Sequence, residues 1–285
     1  PLIEHTGEMK KEDLVVMEVS SFQLEQMSIS PNVAAVLNIT PNHLDRHRTL
    51  EAYTAAKSRI LEYQKPDDKA ILGYDDPGAW KLASMVKGAL IGFGTAPMPA
   101  DLTGTYEQDG VLWLRDAVGD HPIAATAEIL LRGKHNLQNV LAACSIAYAA
   151  GLSIGAMKAG IHGFSGVAHR LEWVANVNGS DWYNDSIATA PERTAAAIHS
   201  FSEPLVLLLG GRDKNLPWED LAALIHQRVD HVVVFGEAAE KILAAIGSSQ
   251  AGERPYSLTR CQGLQEATMA AARVAQPGDV VLLSP

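Results

Sequence analysis

Residues 205–235 read LVLLLGGRDKNLPWEDLAALIHQRVDHVVVF, two short apolar runs separated by a segment with helical spacing. Apolar runs of this length that end at glycine or other turn residues are typical of parallel strands buried on both faces. The same alternation continues with helices predicted at 237–245 and 263–275 and a strand predicted at 280–283. We therefore predict a small, doubly wound α/β domain in this part of the chain.

The preceding residues repeat this alternation of strands and helices. Two turn dipeptides, Asp109-Gly110 and Asn178-Gly179, lie between strand-like runs and predict β-hairpins. The other predicted strands are 14–19, 33–39, 70–72 and 89–93, and the other predicted helices are 50–64, 76–85, 136–150 and 191–199. We place a domain boundary near Gly166, which gives a parallel-sheet domain at 1–166 and the doubly wound domain at 167–285.

The composition is that of a globular protein and argues against several classes. A net charge of −10 disfavours a nucleic-acid groove, and no apolar run reaches the roughly 20 residues needed to span a bilayer. Two cysteines without metal-ligand spacing favour a reducing compartment, so we expect a cytoplasmic protein. Because the chain starts at Pro1 and stops directly after a strand-like run, we expect a fragment of a longer protein.

Three residues of the first domain are candidates for binding a metal or phosphate. Glu18 and His43 follow predicted strands, whose carboxyl ends face the ligand crevice of a parallel sheet, although Glu18 could equally cap the next helix. His43 and His47 have the i, i+4 spacing of a zinc pair, but no third ligand lies nearby, so we do not expect zinc. Lys57 lies on an amphipathic helix, and this pattern alone predicts a solvated surface lysine.

Polar residues further along the chain are candidates for binding a nucleotide or an anion. Asn136 and Asn139 lie one turn apart near a helix N-terminus, where amides can hold a base or sugar, whereas capping would explain one of them. Arg170 opens the second domain, Asp185 lies in a polar loop before a helix, and Lys214 follows a glycine pair at a strand end. From the pattern alone, a capping Asp185 and a solvated Lys214 remain alternatives.

Several motifs occur in a fixed order along the chain. They are EVSSFQLE (18–25), NITPNHLDRH (38–47), AAKSRI (55–60), GKHNLQNVLAA (133–143), GVAHRLEWV (166–174), YNDSIATAPERT (183–194) and LLLGGRDKN (207–215). Together they resemble the Mur ligase family, the ATP-dependent amide ligases of peptidoglycan synthesis, and most closely its glutamate-adding members. The resemblance implies the remnant of a central parallel-sheet ATPase domain followed by a small Rossmann-like domain, in a monomeric protein.

The resemblance also implies a reaction and its residues. ATP would activate UDP-N-acetylmuramoyl-L-alanine as an acyl phosphate, which the amino group of glutamate, with D-glutamate favoured, would then attack. The positions that match the family's magnesium site are Glu18, His43 and Lys57, the last as a carbamylated lysine. The positions that match its substrate contacts are Asn136 and Asn139 for adenine and ribose, Arg170 for phosphate, Asp185 for ribose, and Lys214 and Thr189 for glutamate.

The sequence departs from the family's pattern in three ways. It contains no Gly-Lys-Thr/Ser phosphate loop and no uridine-diphosphate-binding domain, both of which we expect upstream of Pro1. Ile187 stands where the glutamate-adding members carry lysine, so a ligase that adds L-glutamate or another amino acid, including folylpolyglutamate synthase, remains an alternative. Another alternative is a fragment that binds the substrates but cannot catalyse the reaction. A nicotinamide-dependent dehydrogenase is not expected, because no Gly-x-Gly-x-x-Gly follows a strand.

Overall fold

The computed structural model describes residues 4–40, 44–212, 216–247 and 252–285. The chain divides into two compact units, one formed by Pro1–Ile129 and Leu137–Gly163 and the other by Leu130–Asn136 and Phe164–Pro285. Each unit is built on a six-stranded, mostly parallel sheet, which confirms the predicted α/β fold class. The nucleotide-binding and amino-acid-binding roles of the two predicted domains stay predictions.

The sheet of the first unit joins parallel strands to an antiparallel meander. In order across the sheet, the strands are β1 (Val33–Val36), β2 (Lys69–Gly73), β3 (Ala89–Gly94), β4 (Gly104–Gln108), β5 (Val111–Arg115) and β6 (Asp120–Ala125). β1 to β4 pair in parallel, whereas β5 pairs antiparallel with both β4 and β6. The predicted hairpin is confirmed, since Asp109 and Gly110 adopt φ values of 52° and 75°, the positive values of a two-residue hairpin turn.

Helices cover both faces of this sheet. Up to residue 163 they are α1 (Ser21–Leu24), α2 (Leu44–His47), α3 (Leu50–Glu62), α4 (Pro77–Trp80), α5 (Lys134–Ala149) and α6 (Ile154–Gly163). In β2, Leu72 packs in the core that contains Leu61 of α3, and the neighbouring Ile71 packs in the core that contains Leu141 of α5. This alternation shows why the strand reads as a continuous apolar run. The predicted helix 76–85 is split into α4 and a 3₁₀ turn at Lys81–Met85.

The predicted strand at 14–19 is wrong. Residues 13–20 form neither helix nor strand, and the apolar side chains from Leu14 to Met17 are exposed, with Val16 at 88%. An apolar run becomes a strand only where a neighbouring strand offers backbone partners, and among the described residues β1 forms the edge of the sheet with nothing paired beyond it. Glu18, predicted at a strand end, consequently lies in an exposed irregular segment just before α1.

The sheet of the second unit has the strand order of a doubly wound domain. Across the sheet, the strands are β11 (Ser257–Cys261), β10 (His231–Gly236), β9 (Leu205–Gly211), β12 (Val280–Leu283), β8 (Ser180–Asn184) and β7 (Glu172–Val177). All neighbours are parallel except β7 and β8, which form the hairpin predicted at Asn178-Gly179. The chain therefore reverses its winding at β9, which separates β10 from β12.

Four helices pack on this second sheet. They are α7 (Pro191–Ile198), α8 (Glu219–Arg228), α9 (Ala239–Ile246) and α10 (Leu264–Val274). Leu207 of β9 is buried against Ile225 of α8, while Leu208 faces the other layer with Ala267 of α10. Within the part of the chain that the structure describes, no helix has the length and apolarity needed to cross a bilayer.

Candidate functional site

Two of the quoted motifs and helix α3 meet in the first unit around the imidazole of His47. Its Nε2 lies 2.9 Å from the hydroxyl of Ser21, and its Nδ1 lies 3.3 Å from a carboxylate oxygen of Glu25. The ring of Phe22 stacks on the imidazole with centroids 5.3 Å apart, and Tyr53 of α3 packs at 5.3 Å with a tilted ring. The structure thus brings together EVSSFQLE, NITPNHLDRH and the helix that carries AAKSRI.

The one-turn helix α1 is fixed at both ends by side chains. At its start, Ser20 and Gln23 form a capping box, in which each side chain accepts a hydrogen bond from the other residue's backbone N–H. After its end, the guanidinium of Arg59 donates to the carbonyls of Leu24 at 3.1 Å and Met27 at 2.7 Å. A four-residue helix has little stability of its own, so its position depends on these contacts with α3.

Lys57 is not the fully solvated residue that its helical pattern predicts. It is partly buried, and its Nζ donates a 3.1 Å hydrogen bond to the carbonyl of Asn38, in the segment that follows β1. The same ammonium lies 5.2 Å from the centroid of the Tyr53 ring, within the range of a cation–π contact. Lys57 therefore points along α3 toward the segment that carries NITPNHLDRH.

The predicted magnesium residues are only partly covered by the structure. Glu18 is exposed, and His43 lies outside the described residues. Among the residues that are described, no three His, Cys, Asp or Glu side chains form a group that could hold a metal ion. The donor chemistry nevertheless fits, because the carboxylate of Glu18 and a carbamate on Lys57 would supply the oxygen ligands that magnesium prefers. Glu18, His43 and Lys57 stay the predicted site.

In the second unit, Asp185 is the centre of a buried polar network. The residue is 4% exposed, and its carboxylate accepts hydrogen bonds from Leu171 N and from Ser284 Oγ, both at 3.1 Å. The hydroxyl of Ser284 lies 3.2 Å from that of Thr194, which also donates to the Ser284 carbonyl. The sequence analysis did not single out Thr194 or Ser284. Thr194 is the last residue of the motif YNDSIATAPERT, and Ser284 directly follows strand β12.

Charges around Asp185 couple it to two further side chains. Burial raises the pKa of Asp185 above its ordinary value, while its hydrogen bonds and the positive charge of Arg170 act in the opposite direction. Burial lowers the pKa of His135, which Arg170 lowers further and Asp185 partly restores. Arg170 itself is exposed. The structure thus places the predicted pair Arg170 and Asp185 in one electrostatic environment, together with His135, a residue that the sequence did not single out.

The segment before α5 is held by Arg132, which the sequence also did not single out. Its guanidinium forms a 2.5 Å ion pair with Glu203 and lies 5.2 and 5.4 Å from the ring centroids of Tyr183 and Phe201. Asn136, a predicted nucleotide contact, donates from its amide to the Arg132 carbonyl at 2.7 Å. This hydrogen bond orients the Asn136 side chain in the first turn of α5. The contacts of the Arg132 side chain in turn hold the backbone carbonyl that accepts the bond.

The remaining predicted residues are distributed as follows. Asn139 is exposed on α5, and Thr189 is exposed in the loop before α7, which starts at Pro191 as predicted. The glycine pair before Lys214 does end a strand, since β9 closes at Gly211, but Lys214 itself lies outside the described residues. Its role as a contact to glutamate stays a prediction.

Comparison with known proteins gives matches over most of the chain. Residues 2–147 match the Mur ligase middle domain, and residues 169–285 match the Mur ligase glutamate ligase domain. A UDP-N-acetylmuramoylalanine–D-glutamate ligase from Symbiobacterium thermophilum is 38% identical over 286 residues, which cover 100% of this chain and 62% of that relative. The chain therefore spans less than two thirds of the relative's length.

Solved structures share the fold. A MurF from Acinetobacter baumannii superposes with a TM-score of 0.66 at 21% identity, over 89% of this chain and 56% of the other. A MurF ligase from Thermotoga maritima, solved in complex with ADP, superposes with a TM-score of 0.62 at 18% identity, over 89% of this chain and 58% of the other. At these identities the likeness concerns the α/β architecture alone.

Proposed function

The chain belongs to the Mur ligase family, and on that basis we propose that it supplies the nucleotide-binding and amino-acid-binding parts of an ATP-dependent ligase that adds glutamate to UDP-N-acetylmuramoyl-L-alanine. The name of the relative from Symbiobacterium thermophilum supports this substrate pair. The observation that carries the proposal is Asp185, a carboxylate kept buried beside Arg170 although burial raises its pKa. Perturbed carboxylates beside a cation are typical of ligand sites.

The proposed reaction has two steps. A carboxylate oxygen of the alanine attacks the terminal phosphorus of ATP, so that ADP leaves and an acyl phosphate forms. The amino nitrogen of glutamate then attacks the acyl carbon, a proton is lost, and phosphate leaves as the amide forms. Because the substrates carry the reacting bonds, the protein has to position them and neutralise charge. Mur ligases generally use ATP and Mg²⁺, and a magnesium ion bound by this chain would stabilise charge on phosphate oxygens.

Two charged side chains of the second unit, Arg170 and Asp185, would contact the nucleotide. Arg170 is exposed, so its guanidinium can donate to phosphate oxygens in a forked arrangement. Asp185 uses two acceptor positions for Leu171 N and Ser284 Oγ, and an ionised carboxylate has about four. The remaining positions can accept from the hydroxyls of a ribose. Asn136 and Asn139 would supply amide groups for the adenine and its sugar.

Carbamylation of Lys57 is compatible with its hydrogen bond to Asn38. Carbon dioxide reacts with the neutral amine, a proton is released, and a new N–C bond gives an anionic carbamate. The carbamate nitrogen keeps one N–H, so it can still donate to the carbonyl of Asn38, as Nζ does now at 3.1 Å. Its two oxygens would then join Glu18 and His43 in holding magnesium.

The acceptor would bind near Thr189 and Lys214, with D-glutamate favoured. Ile187, two residues before Thr189, is exposed and leaves this pocket with one cation fewer than the glutamate-adding pattern provides. This observation supports a second candidate, a ligase whose glutamate pose is rearranged to accept the L-enantiomer. A charge-assisted hydrogen bond contributes roughly 1.5–3 kcal/mol, so one missing cation is enough to change the preference.

The test uses the complete gene product with ATP, Mg²⁺, UDP-N-acetylmuramoyl-L-alanine and D-glutamate. We expect ADP release together with a product whose mass increases by one glutamate residue, and neither without the nucleotide-sugar substrate. The 285-residue chain by itself should neither hydrolyse ATP nor ligate, since no Gly-Lys-Thr/Ser loop is among its residues. Absence of the ligated product from the complete protein, with ATP bound, would overturn the proposal.

A further inference from the structure

The three segments that carry the predicted magnesium residues all make contact with one side chain, His47. In the sequence, Glu18 lies three residues before Ser21, His43 lies four residues before His47, and Lys57 lies four residues after Tyr53. Ser21, Phe22 and Glu25 contact the imidazole from the first of these segments, and Tyr53 contacts it from α3. The Tyr53 ring lies 5.3 Å from the His47 ring and 5.2 Å from Nζ of Lys57.

Both ring nitrogens of His47 have polar partners in the α1 segment. Nε2 forms a 2.9 Å hydrogen bond with the hydroxyl of Ser21, and Nδ1 lies 3.3 Å from a carboxylate oxygen of Glu25. Because a carboxylate can only accept, we expect the proton on Nδ1, which leaves Nε2 to accept from Ser21. Phe22 stacks on the imidazole, and Tyr53 packs against it with a tilted ring. Together these contacts hold the imidazole in place.

Ser21, His47 and Glu25 are the residue types of a nucleophilic triad, but their burial argues against that role. The His47 side chain is 2% exposed, and Ser21 is 6% exposed in the first unit. A nucleophile must reach a substrate carbonyl, whereas this hydroxyl is enclosed and hydrogen-bonded to the imidazole. What the arrangement does provide is a link between two one-turn helices, α1 and α2, which have little stability of their own.

We infer that His47 is a positioning residue for the ligation proposed above, which holds the segments of Glu18, His43 and Lys57 in register through Ser21, Glu25 and Tyr53. It touches no substrate. Its effect is on the placement of the groups that would bind magnesium, and that placement affects the rate of the chemical step. None of the residues proposed to contact the nucleotide or the amino acid lies in the three segments that meet at His47, so we expect those affinities not to depend on His47.

The test compares His47→Phe with wild type in the complete gene product. Phenylalanine keeps an aromatic ring next to Phe22 and Tyr53 but removes the hydrogen bond to Ser21 and the polar contact with Glu25. We expect kcat to fall roughly 10- to 100-fold, the size found when residues behind metal ligands are changed, while KM for ATP and for glutamate stays within about twofold. Ser21→Ala, which leaves the imidazole in place, should lower kcat less. Adding Ser21→Ala to His47→Phe should cause no further loss, because both substitutions break the same contact.

Two further measurements separate positioning from stability. The matched control is His162→Gln, a histidine of the same unit that is 46% exposed and lies 2.5 Å from Glu128, and it should leave kcat within about twofold. Ring ¹⁵N spectra of wild type should show His47 protonated on Nδ1, and Glu25→Gln should disturb that state. The inference is overturned if the loss in kcat of each variant equals its loss of folded protein, measured by circular dichroism. It is also overturned if the kcat losses of the two single variants multiply in the double variant, or if Nε2 of wild-type His47 carries the proton. A wild-type protein that makes no ligated product refutes the proposed function instead, and with it this role of His47.

Discussion

Asp185→Asn removes a buried charge but keeps a side chain of the same size with polar atoms at the same positions. The amide oxygen can accept from Leu171 N, and the amide nitrogen can donate to Ser284 Oγ, so both 3.1 Å contacts can persist. Hydrogen bonds to a charged group contribute roughly 1.5–3 kcal/mol and neutral ones about 0.5–1.5 kcal/mol, so about 1 kcal/mol is lost at each contact. The desolvation of the charge is relieved at the same time.

The direction of the pKa shift decides which of these effects is larger. Burial is the largest influence on Asp185, and its pKa is raised despite the hydrogen bonds and Arg170. The folded protein thus holds the proton more tightly than the unfolded chain, and the ionised carboxylate costs stability above the ordinary value of 3.8. We expect Asp185→Asn to leave the free energy of unfolding at neutral pH within about 1 kcal/mol of wild type, or to raise it. The difference in the free energy of unfolding between Asp185→Asn and wild type should vanish in acid, where both side chains are neutral.

Whereas we expect stability to change little or to rise, we expect the affinity for ATP to fall in Asp185→Asn. If the carboxylate binds ribose, losing the charge should raise KM for ATP roughly tenfold or more, since a charge-assisted hydrogen bond contributes about 1.5–3 kcal/mol. Urea unfolding followed by tryptophan fluorescence gives the stability, and ADP release gives the kinetics. Asp185→Ala is the comparison, because it leaves Leu171 N without an acceptor and should cost about 1–3 kcal/mol. The reasoning fails if Asn destabilises as much as Ala while KM for ATP stays at the wild-type value.

Three further changes test other parts of the site and fold. Lys57→Ala should abolish ligation, and short carboxylic acids should partly restore it by replacing the carbamate oxygens; a near-normal rate for Lys57→Arg in the same assay would contradict the carbamate role. Ile187→Lys should shift the preference between D- and L-glutamate in a competition assay, and an unchanged ratio would show that Ile187 does not set acceptor choice. Hydrogen bonds from Ala125 N and the side chains of His162 and Lys158 lower the pKa of Glu128 from 4.5 to about 2, so its stabilisation should be complete above pH 4.5 and lost as the pH falls toward 2. Melting temperatures of Glu128→Gln across this range should show a flatter acid limb than wild type.

Local signals in the sequence predicted much of the fold. Asp109-Gly110 and Asn178-Gly179 determine their hairpins because positive φ values at both positions are a property of the dipeptide itself. The central strands β2, β3 and β9 were predicted because both of their faces are buried. Strand β11 was missed, since SLTRC lacks an apolar run at the sheet's edge. The strand at 14–19 was predicted wrongly, because an apolar run does not reveal whether a partner strand is present.

The motifs predicted which residues belong to the candidate site but not which side chains contact one another there. The family's pattern identified Lys57 against its helical pattern, and the structure gives that lysine a partner, Asn38. The roles of His47 and Ser284 could not be predicted, because each acts through residues far along the chain. His47 pairs with Ser21, 26 positions away, and Ser284 pairs with Asp185, 99 positions away. Such pairings depend on how the strands and helices are connected.

The direction of its pKa shift distinguishes Asp185 from the other carboxylates whose pKa is shifted. Among the described carboxylates whose pKa is shifted, those of Asp68, Asp116, Asp120, Glu128, Asp181 and Glu203 are lowered. Each of those groups is more acidic than usual because its hydrogen bonds and ion pairs favour the charge, so the charge stabilises the fold. Asp185 alone in this set is raised. Because the raised pKa shows that folding disfavours its ionised form, this carboxylate differs from the structural acids, which supports the proposed contact with a ribose hydroxyl beside an Arg170-bound phosphate.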